Sequence, residues 1–132
     1  MTRFYKYILF RVYSFSEKKD STPIGDTVLI MCVVHAFQVI NLGLFFSLIF
    51  GLKWVYQEKS LLFFIGCFLL FATYYFLVFY NGKYKNWFKE FKKESIEQRK
   101  INGIKVWLFC WGSIILFFIQ AVIVILNQKY LL

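Results

Sequence analysis

Three polar side chains interrupt the first long uncharged stretch of the sequence. His35, Gln38 and Asn41 follow one another at intervals of three residues within the run 27–52, which contains no Lys, Arg, Asp or Glu. On a helix, this spacing keeps the three side chains within about a third of the circumference. A polar group in hydrocarbon needs a hydrogen-bonding partner, so we expect this polar stripe to face protein or a water-filled path rather than lipid.

An imidazole beside two amides is compatible with metal or haem binding, with a pore lining, or with helix packing. His35 is the only histidine, and no acidic residue accompanies it in the three uncharged runs of the chain. A metal or haem would therefore need ligands from another subunit, and we predict no cofactor and no metal site. Helix packing is the favoured role of the polar stripe, and the lining of a pore built by several copies is the alternative.

Small residues continue along the same span. Gly43, Ser47 and Gly51 recur at every fourth position, a spacing that lets two helices approach closely. Together with the polar stripe, this pattern predicts that the first span is the contact helix, either within the bundle or between copies. Ser113 and Gln120 in the third uncharged run are expected to be ordinary packing positions.

The sequence offers little for catalysis. Cys32, Cys67 and Cys110 occur once in each uncharged run and lack C-x-x-C spacing, so we expect neither a disulfide nor a metal site. The motifs G-x-x-x-x-G-K-[ST], H-E-x-x-H and G-x-S-x-G do not occur. No segment between the runs is long enough for a catalytic domain. We predict that the protein is not an enzyme.

The elements that carry these residues are long and apolar. Hydrophobic residues make up 60 % of the chain, against ~45–50 % in soluble domains. Uncharged runs cover residues 27–52, 61–80 and 106–126, and ~20 such residues cross the hydrocarbon core of a membrane as a helix. The sequence therefore predicts an all-α membrane protein, with residues 1–132 forming one membrane domain that contains three transmembrane helices.

The distribution of basic residues predicts the orientation of the spans. Lys and Arg number five in residues 1–26, two in 53–60, eight in 81–105 and one in 127–132. Alternate segments lie on the same side, so one side has thirteen basic residues and the other three. By the positive-inside rule, the N-terminus and second loop are cytoplasmic and the C-terminus is outside. Residues 1–20 carry charges throughout, which predicts no cleavable signal peptide.

Two amphipathic interfacial helices are predicted on the cytoplasmic side. Residues 1–20 have an apolar stripe that runs from Phe4 to Phe15, although Phe10 interrupts it. Residues 84–101 have helix-forming composition, with apolar, basic and acidic side chains sorted onto separate faces. Both helices would lie at the same membrane leaflet, where they can pack together.

The second amphipathic helix is constrained by the reach of the chain that follows it. Asn81-Gly82 and Asn102-Gly103 flank the helix as turn or cap signals. A helix over 84–101 is ~27 Å long, whereas residues 102–105 reach only ~14 Å. It therefore lies flat on the membrane or breaks near residues 92–95 into a hairpin, and its aromatic residues favour the flat arrangement.

The basic and aromatic residues of the second loop, residues 81–105, predict a surface for anionic lipid headgroups or an acidic partner. We call it the basic–aromatic surface, and its members are Lys85, Lys89, Lys92, Lys93, Lys100, Trp87, Phe88 and Phe91. The alternative is a topology determinant with a solvated face. Glutamates dilute its charge and no recognised nucleic-acid motif occurs, so no nucleic-acid partner is predicted.

The composition also indicates a setting. Many Phe, Tyr, Ile and Lys residues beside only three alanines are typical of an AT-rich genome, and the layout resembles that of small inner-membrane proteins of such bacteria. An organellar origin would give a similar composition. We expect a three-pass accessory or scaffold subunit of the inner (plasma) membrane, which associates through its first span with a larger complex or with its own copies. The alternative is a homo-oligomeric pore or membrane-perturbing effector lined by the polar stripe.

Overall fold

The structure is a computed structural model that describes residues 2–19, 22–51 and 58–130. Every element of regular secondary structure in these segments is an α-helix. The helices are α1 (Arg3–Glu17), α2 (Pro23–Phe50), α3 (Glu58–Tyr80), α4 (Tyr84–Lys92) and α5 (Ile96–Tyr130). Three stretches are long and apolar enough to cross a membrane: Pro23–Phe50, Leu61–Tyr80 and Ile96–Asn127. The predicted all-α fold, with three such helices and two short amphipathic ones, is confirmed.

Helix α2 is the central element, because both α3 and α5 pack along it. Buried residues make up 39 % of its most apolar stretch, against 6 % in α3 and 11 % in α5. It begins at Pro23, whose fixed φ suits the first helical position. It ends at Phe50, and the C-cap residue Gly51 adopts a left-handed φ of 64°. Leu52, the predicted last residue of the first span, lies outside the described residues.

Helix α1 packs between α2 and α4. Ile8 and Leu9 are fully buried, and Phe10 is buried as well. The ring of Phe10 contacts Phe88 and Phe91 of α4, with centroids 5.4 and 5.7 Å apart. The residue that interrupts the apolar stripe in the sequence therefore belongs to a second apolar face, and the expected pairing of the two amphipathic helices is observed.

The second amphipathic segment is divided between two helices and is not one continuous helix. Helix α4 ends at Lys92 and α5 begins at Ile96, so the predicted single helix over 84–101 was wrong and the break near residues 92–95 is the arrangement adopted. The backbone N–H of Gln98 donates to Ser95 Oγ at 3.2 Å. Ser95 therefore caps the N-terminus of α5, and the Ser-x-x-Gln spacing is that of a capping box.

The two Asn-Gly pairs have different roles. Gly82 has a φ of 68°, and the turn predicted there is confirmed. Asn102 and Gly103 lie inside α5, so the turn predicted at that pair is absent. The Asn102 amide donates to the Glu94 carboxylate, and a Cβ added at Gly103 would lie 2.8 Å from Nη2 of Arg11. Contacts with residues outside α5 therefore explain why an asparagine stands at position 102 and a glycine at position 103.

Glu94 joins α1 to the corner between α4 and α5. One carboxylate oxygen accepts a hydrogen bond from the Tyr7 hydroxyl at 2.7 Å, and the other accepts the bond from Asn102. Burial, reinforced by the hydrogen bond to Glu94, raises the pKa of Tyr7 to about 12. The neutral phenol is therefore the form that the folded protein favours.

We predict that Tyr7→Phe lowers the free energy of unfolding by about 1–3 kcal/mol near neutral pH, because Glu94 loses a buried donor. Since the folded-state pKa of Tyr7 lies above its ordinary value of 10.0, the contribution of Tyr7 is complete below pH 10 and is lost as the pH rises towards 12. The difference in unfolding free energy between the wild type and the variant should therefore shrink over that range.

Unfolding in detergent micelles from pH 8 to 12 measures this difference. Tyr80→Phe is the matched control, because Tyr80 is largely exposed and its substitution removes another phenol without touching Glu94. A wild-type-to-variant difference that stays constant from pH 10 to 12 would show that Tyr7 does not titrate as described.

We predict that Gly82→Ala lowers the free energy of unfolding by roughly 1–2 kcal/mol, because a residue with a Cβ is strained at positive φ. Gly66→Ala is the matched control, since Gly66 is helical and a Cβ there meets no atom within 4 Å. The two variants and the wild type are compared by thermal unfolding, in which the control should unfold like the wild type. Equal losses in both variants would contradict the role of the turn at Gly82.

Candidate intramembrane interaction site

A chain of hydrogen bonds connects the three spanning helices through the polar stripe of α2. His35 Nε2 is bonded to the hydroxyl of Tyr75 on α3, and His35 Nδ1 lies 2.8 Å from Oε1 of Gln38. Gln38 Nε2 donates to Ser113 Oγ on α5 at 3.2 Å. The Ser113 hydroxyl donates in turn to the backbone carbonyl of Phe109 at 2.9 Å.

The direction of each bond in this chain follows from its neighbour. Because Gln38 uses its NH₂ group on Ser113, its oxygen faces His35 and can only accept. Nδ1 of His35 therefore carries the hydrogen, and Nε2 of the neutral imidazole accepts from the Tyr75 hydroxyl. Each hydrogen bond of the series is donated in the direction from α3 towards α5, so each of these side chains has a partner within the protein.

Aromatic rings enclose His35 and connect it with α1. The Phe71 ring stacks on the imidazole with centroids 4.7 Å apart, and the Tyr75 ring is nearly parallel to it at 5.5 Å. The Tyr5 ring of α1 approaches within 6.3 Å. His35 is consequently buried within a single copy of the chain.

Asn41 connects α2 to α5 about one helical turn farther along. Its Nδ2 donates to the backbone carbonyl of Ser113 at 2.8 Å, so Ser113 accepts hydrogen bonds from α2 on both its side chain and its backbone. Asn41 is 6 % exposed, and Gln120 of α5 is 9 % exposed. Within the described segments, Asn41 Oδ1 and Gln120 Oε1 are the buried side-chain atoms without a hydrogen-bond partner.

A groove of about 650 Å³ lies beside these groups, between α2 and α5; we call it the polar groove. It is lined by Gln38, Asn41, Ser113 and Gln120, together with apolar side chains such as Phe45. Hydrocarbon supplies no donor for the two unpaired amide oxygens. The polar groove therefore has room for a neighbouring side chain beside two amide groups whose oxygens are buried and unpaired.

The small residues of the first span do not form one uniform face. Gly43 is buried and Ser47 is partly buried, which places both at the packed side of α2. Gly51 instead ends the helix with a left-handed φ, so its identity is explained by the helix terminus and not by close helix approach. Of the cysteines, Cys32 and Cys110 are buried and Cys67 is half-buried.

The basic–aromatic surface divides into an exposed part and a buried part. The exposed part consists of Lys85, Lys89, Lys92, Lys93 and Lys100. Phe88 and Phe91 are buried against α1, so their assignment to a surface for lipid or an acidic partner was wrong. The apolar face of this helix meets protein instead of headgroups. Trp87 is half-buried, with the Lys6 ammonium 4.4 Å from its ring centroid.

The exposed lysines carry uncompensated charge. Among the side chains of residues 2–19, 22–51 and 61–127, the ion pair between Arg3 and Glu90 is the only one, with N and O atoms 3.3 Å apart. Both side chains are well exposed, so this pair stabilises the fold by less than about 1 kcal/mol. Glu94 is engaged with Tyr7 and Asn102. The acidic residues of this region therefore leave the lysine face positive.

Two partners in the hydrogen-bond chain were missed in the sequence. Tyr75 is one of nine tyrosines, and nothing in its local sequence distinguishes it from the others. Ser113 carried a weak signal, as a hydroxyl in an uncharged apolar run. Nothing in the local sequence indicates that it would meet both Gln38 and Asn41.

Comparison with known proteins adds no relative: no family model matches the sequence, and no curated protein or solved structure is significantly similar to it. The geometry of the site therefore carries the functional argument. In the part of the chain that the structure describes, no three His, Cys, Asp or Glu side chains are grouped to hold a metal ion. Its polar groups are arranged to join helices.

We predict that Ser113→Ala lowers the free energy of unfolding by roughly 1 kcal/mol, because Gln38 loses its acceptor in a medium without water. Asn41 keeps its bond to the backbone carbonyl, which limits the loss. Thr73→Val is the control, since the Thr73 hydroxyl is exposed and bonds only to the Leu69 carbonyl of its own helix. If both variants unfold alike in a denaturant titration, the hydrogen bonds through Ser113 do not couple the helices.

Proposed function

We propose that the protein is a small non-catalytic subunit of a bacterial inner membrane, which docks through the polar groove onto a larger membrane protein or onto its own copies. The observation that carries this proposal is the pair of unpaired amide oxygens on Asn41 and Gln120, both in residues that line the polar groove. Leaving such atoms unpaired in hydrocarbon is unfavourable. Both oxygens are buried, so the amide groups would turn towards the polar groove to accept from a neighbouring helix that offers a hydroxyl, amide or indole donor.

The hydrogen bonds within the chain support a joining role over a pore lining. His35, Gln38 and Asn41 bond to Tyr75 and Ser113 of the same copy, whereas pore-lining groups would face an aqueous lumen. Aromatic rings also cover His35. The polar stripe therefore supplies the internal contacts, and its Asn41 end borders the surface available to a partner.

The proposed orientation places the N-terminus and α4 in the cytoplasm and the C-terminus outside. The excess of Lys and Arg on the segments before α2 and between α3 and α5 supports it. The exposed lysines of α4 then lie near anionic headgroups, where each basic residue contributes ~1 kcal/mol to membrane attraction. This charge stabilises the orientation, and it also suits an acidic partner.

Native mass spectrometry of the protein, gently extracted from its host membrane, tests the proposal. A different protein present in a fixed ratio would support docking on a larger complex, and a dimer that depends on the polar groove would support self-association. A closed ring of four or more copies would favour the pore instead. A monomer with no companion after mild extraction would overturn the proposal.

We predict that the double variant Asn41→Leu and Gln120→Leu weakens the association by at least about tenfold, because two interhelical hydrogen bonds are lost. Leucine replaces each amide with an apolar group of similar size, but Asn41→Leu also removes the bond to the Ser113 carbonyl within the chain. The unfolding free energy of the double variant should therefore lie within about 1–2 kcal/mol of the wild type, which is measured before the association is compared. Thr73→Val is again the control, as it removes an exposed polar group from α3. Unchanged stoichiometry in the double variant would exclude the polar groove as the docking site.

A further inference from the structure

A second groove, of about 510 Å³, lies where α1 crosses α2 and α5; we call it the crossing groove. Its charged lining residues are Arg11 on α1 and Lys18 at the C-cap of that helix, and Ser14 of α1 adds a hydroxyl. The lining from α2 and α5 is apolar and includes Trp107 and Trp111. The volume lies within the ~300–1,000 Å³ range of small-molecule sites.

The two cations of the crossing groove are available to an anion. Neither Arg11 nor Lys18 forms an ion pair with an acidic residue that the structure describes. Arg11 is partly buried, and its guanidinium lies over Gly103, where a Cβ would come within 2.8 Å of Nη2. The absence of a side chain at Gly103 thus leaves the space that Arg11 occupies beside the groove.

The apolar side of the crossing groove continues onto surface that faces hydrocarbon. Val33, Trp107 and Trp111 are all substantially exposed and lie within the spanning stretches of α2 and α5. Tryptophan is enriched at the level where headgroups meet acyl chains. An occupant therefore needs an anionic group beside α1 and a hydrocarbon chain along α2 and α5.

We propose that the crossing groove binds one anionic phospholipid, with its phosphate between Arg11 and Lys18 and an acyl chain against Trp107 and Trp111. Charge complementarity favours this occupant over a second copy of the chain, whose net charge is +9. A zwitterionic lipid brings a cation towards the same two basic groups and binds less well. The site is separate from the polar groove, so its occupancy does not depend on partner docking.

The test compares phosphatidylglycerol with phosphatidylcholine of identical acyl chains, added to the detergent-solubilised full chain and followed by native mass spectrometry. The wild type should retain one phosphatidylglycerol in preference to phosphatidylcholine. The double variant Arg11→Gln and Lys18→Gln should weaken that retention by about tenfold or more. Lys89→Gln with Lys92→Gln removes the same charge from the exposed face of α4 and should leave retention unchanged.

Equal losses in the two double variants would show a diffuse electrostatic effect and overturn the site. Equal retention of both lipids by the wild type would overturn it as well. Glycerol phosphate, which has the headgroup chemistry without acyl chains, should not compete. Competition by glycerol phosphate would assign the two cations to a soluble phosphate compound, and a polypeptide retained in place of the lipid would assign the groove to a protein.

A second measurement uses the unaltered protein, so that a misfolded variant cannot obscure the result. Phosphatidylglycerol with brominated acyl chains should quench tryptophan fluorescence more strongly than brominated phosphatidylcholine at the same mole fraction. Trp107→Phe with Trp111→Phe should abolish this preference, because those two rings line the groove. Equal quenching by the two lipids in the wild type would overturn the proposal.

Discussion

Hydrocarbon offers no hydrogen-bonding partner to an imidazole or an amide, and this constraint explains why α2 lies at the centre of the molecule. His35, Gln38 and Asn41 must find their partners on other helices, and they find them in Tyr75 of α3 and Ser113 of α5. Each bond contributes only ~0.6 kcal/mol on average. All of these bonds form only when the three helices stand in one register. They therefore select one arrangement of the helices among several that have similar apolar contacts.

The apolar core lies at one end of the spanning helices and not along their length. Helices α3 and α5 bury few residues of their apolar stretches, whereas α1 is buried on two sides. Aromatic pairs dominate this end, including Tyr13 with Phe88 at 5.1 Å and Tyr7 with Phe91 at 5.2 Å between ring centroids. Such pairs add ~0.5–1.5 kcal/mol each beyond the burial of their area. The amphipathic helices thus form a compact cap, which leaves the spans to be covered by lipid.

The sequence predicts the helical class and the spans because charge-free length is a local property. The corner between α4 and α5 was harder to predict, because Asn102-Gly103 indicated a turn and the aromatic residues favoured one flat helix. The structure instead begins α5 at Ile96, directly after the Ser95 cap. Asn102 and Gly103 contact Glu94 and Arg11. Those contacts join distant parts of the chain, and residue spacing does not reveal them.

The candidate site shows the same division between local and distant information. The spacing of His35, Gln38 and Asn41 identified a polar face on one helix, because a helical face depends only on position along the chain. Their partners depend on how three helices are oriented around one another. Likewise, the apolar side of α4 was recognisable in the sequence, but its contact with Phe10 was not, since either protein or lipid satisfies an apolar face.

The uninterrupted course of α5 has a mechanical consequence. Ser113 is the midpoint of the helix Ile96–Tyr130, and it is also the residue that α2 holds through both side-chain and backbone bonds. A straight helix extends ~25 Å on either side of that point. The N-terminal half of α5 is held a second time, by the bond from Asn102 to Glu94. These two attachment points lie ~16 Å apart along the axis, so together they fix the direction of α5 as well as its depth beside α2.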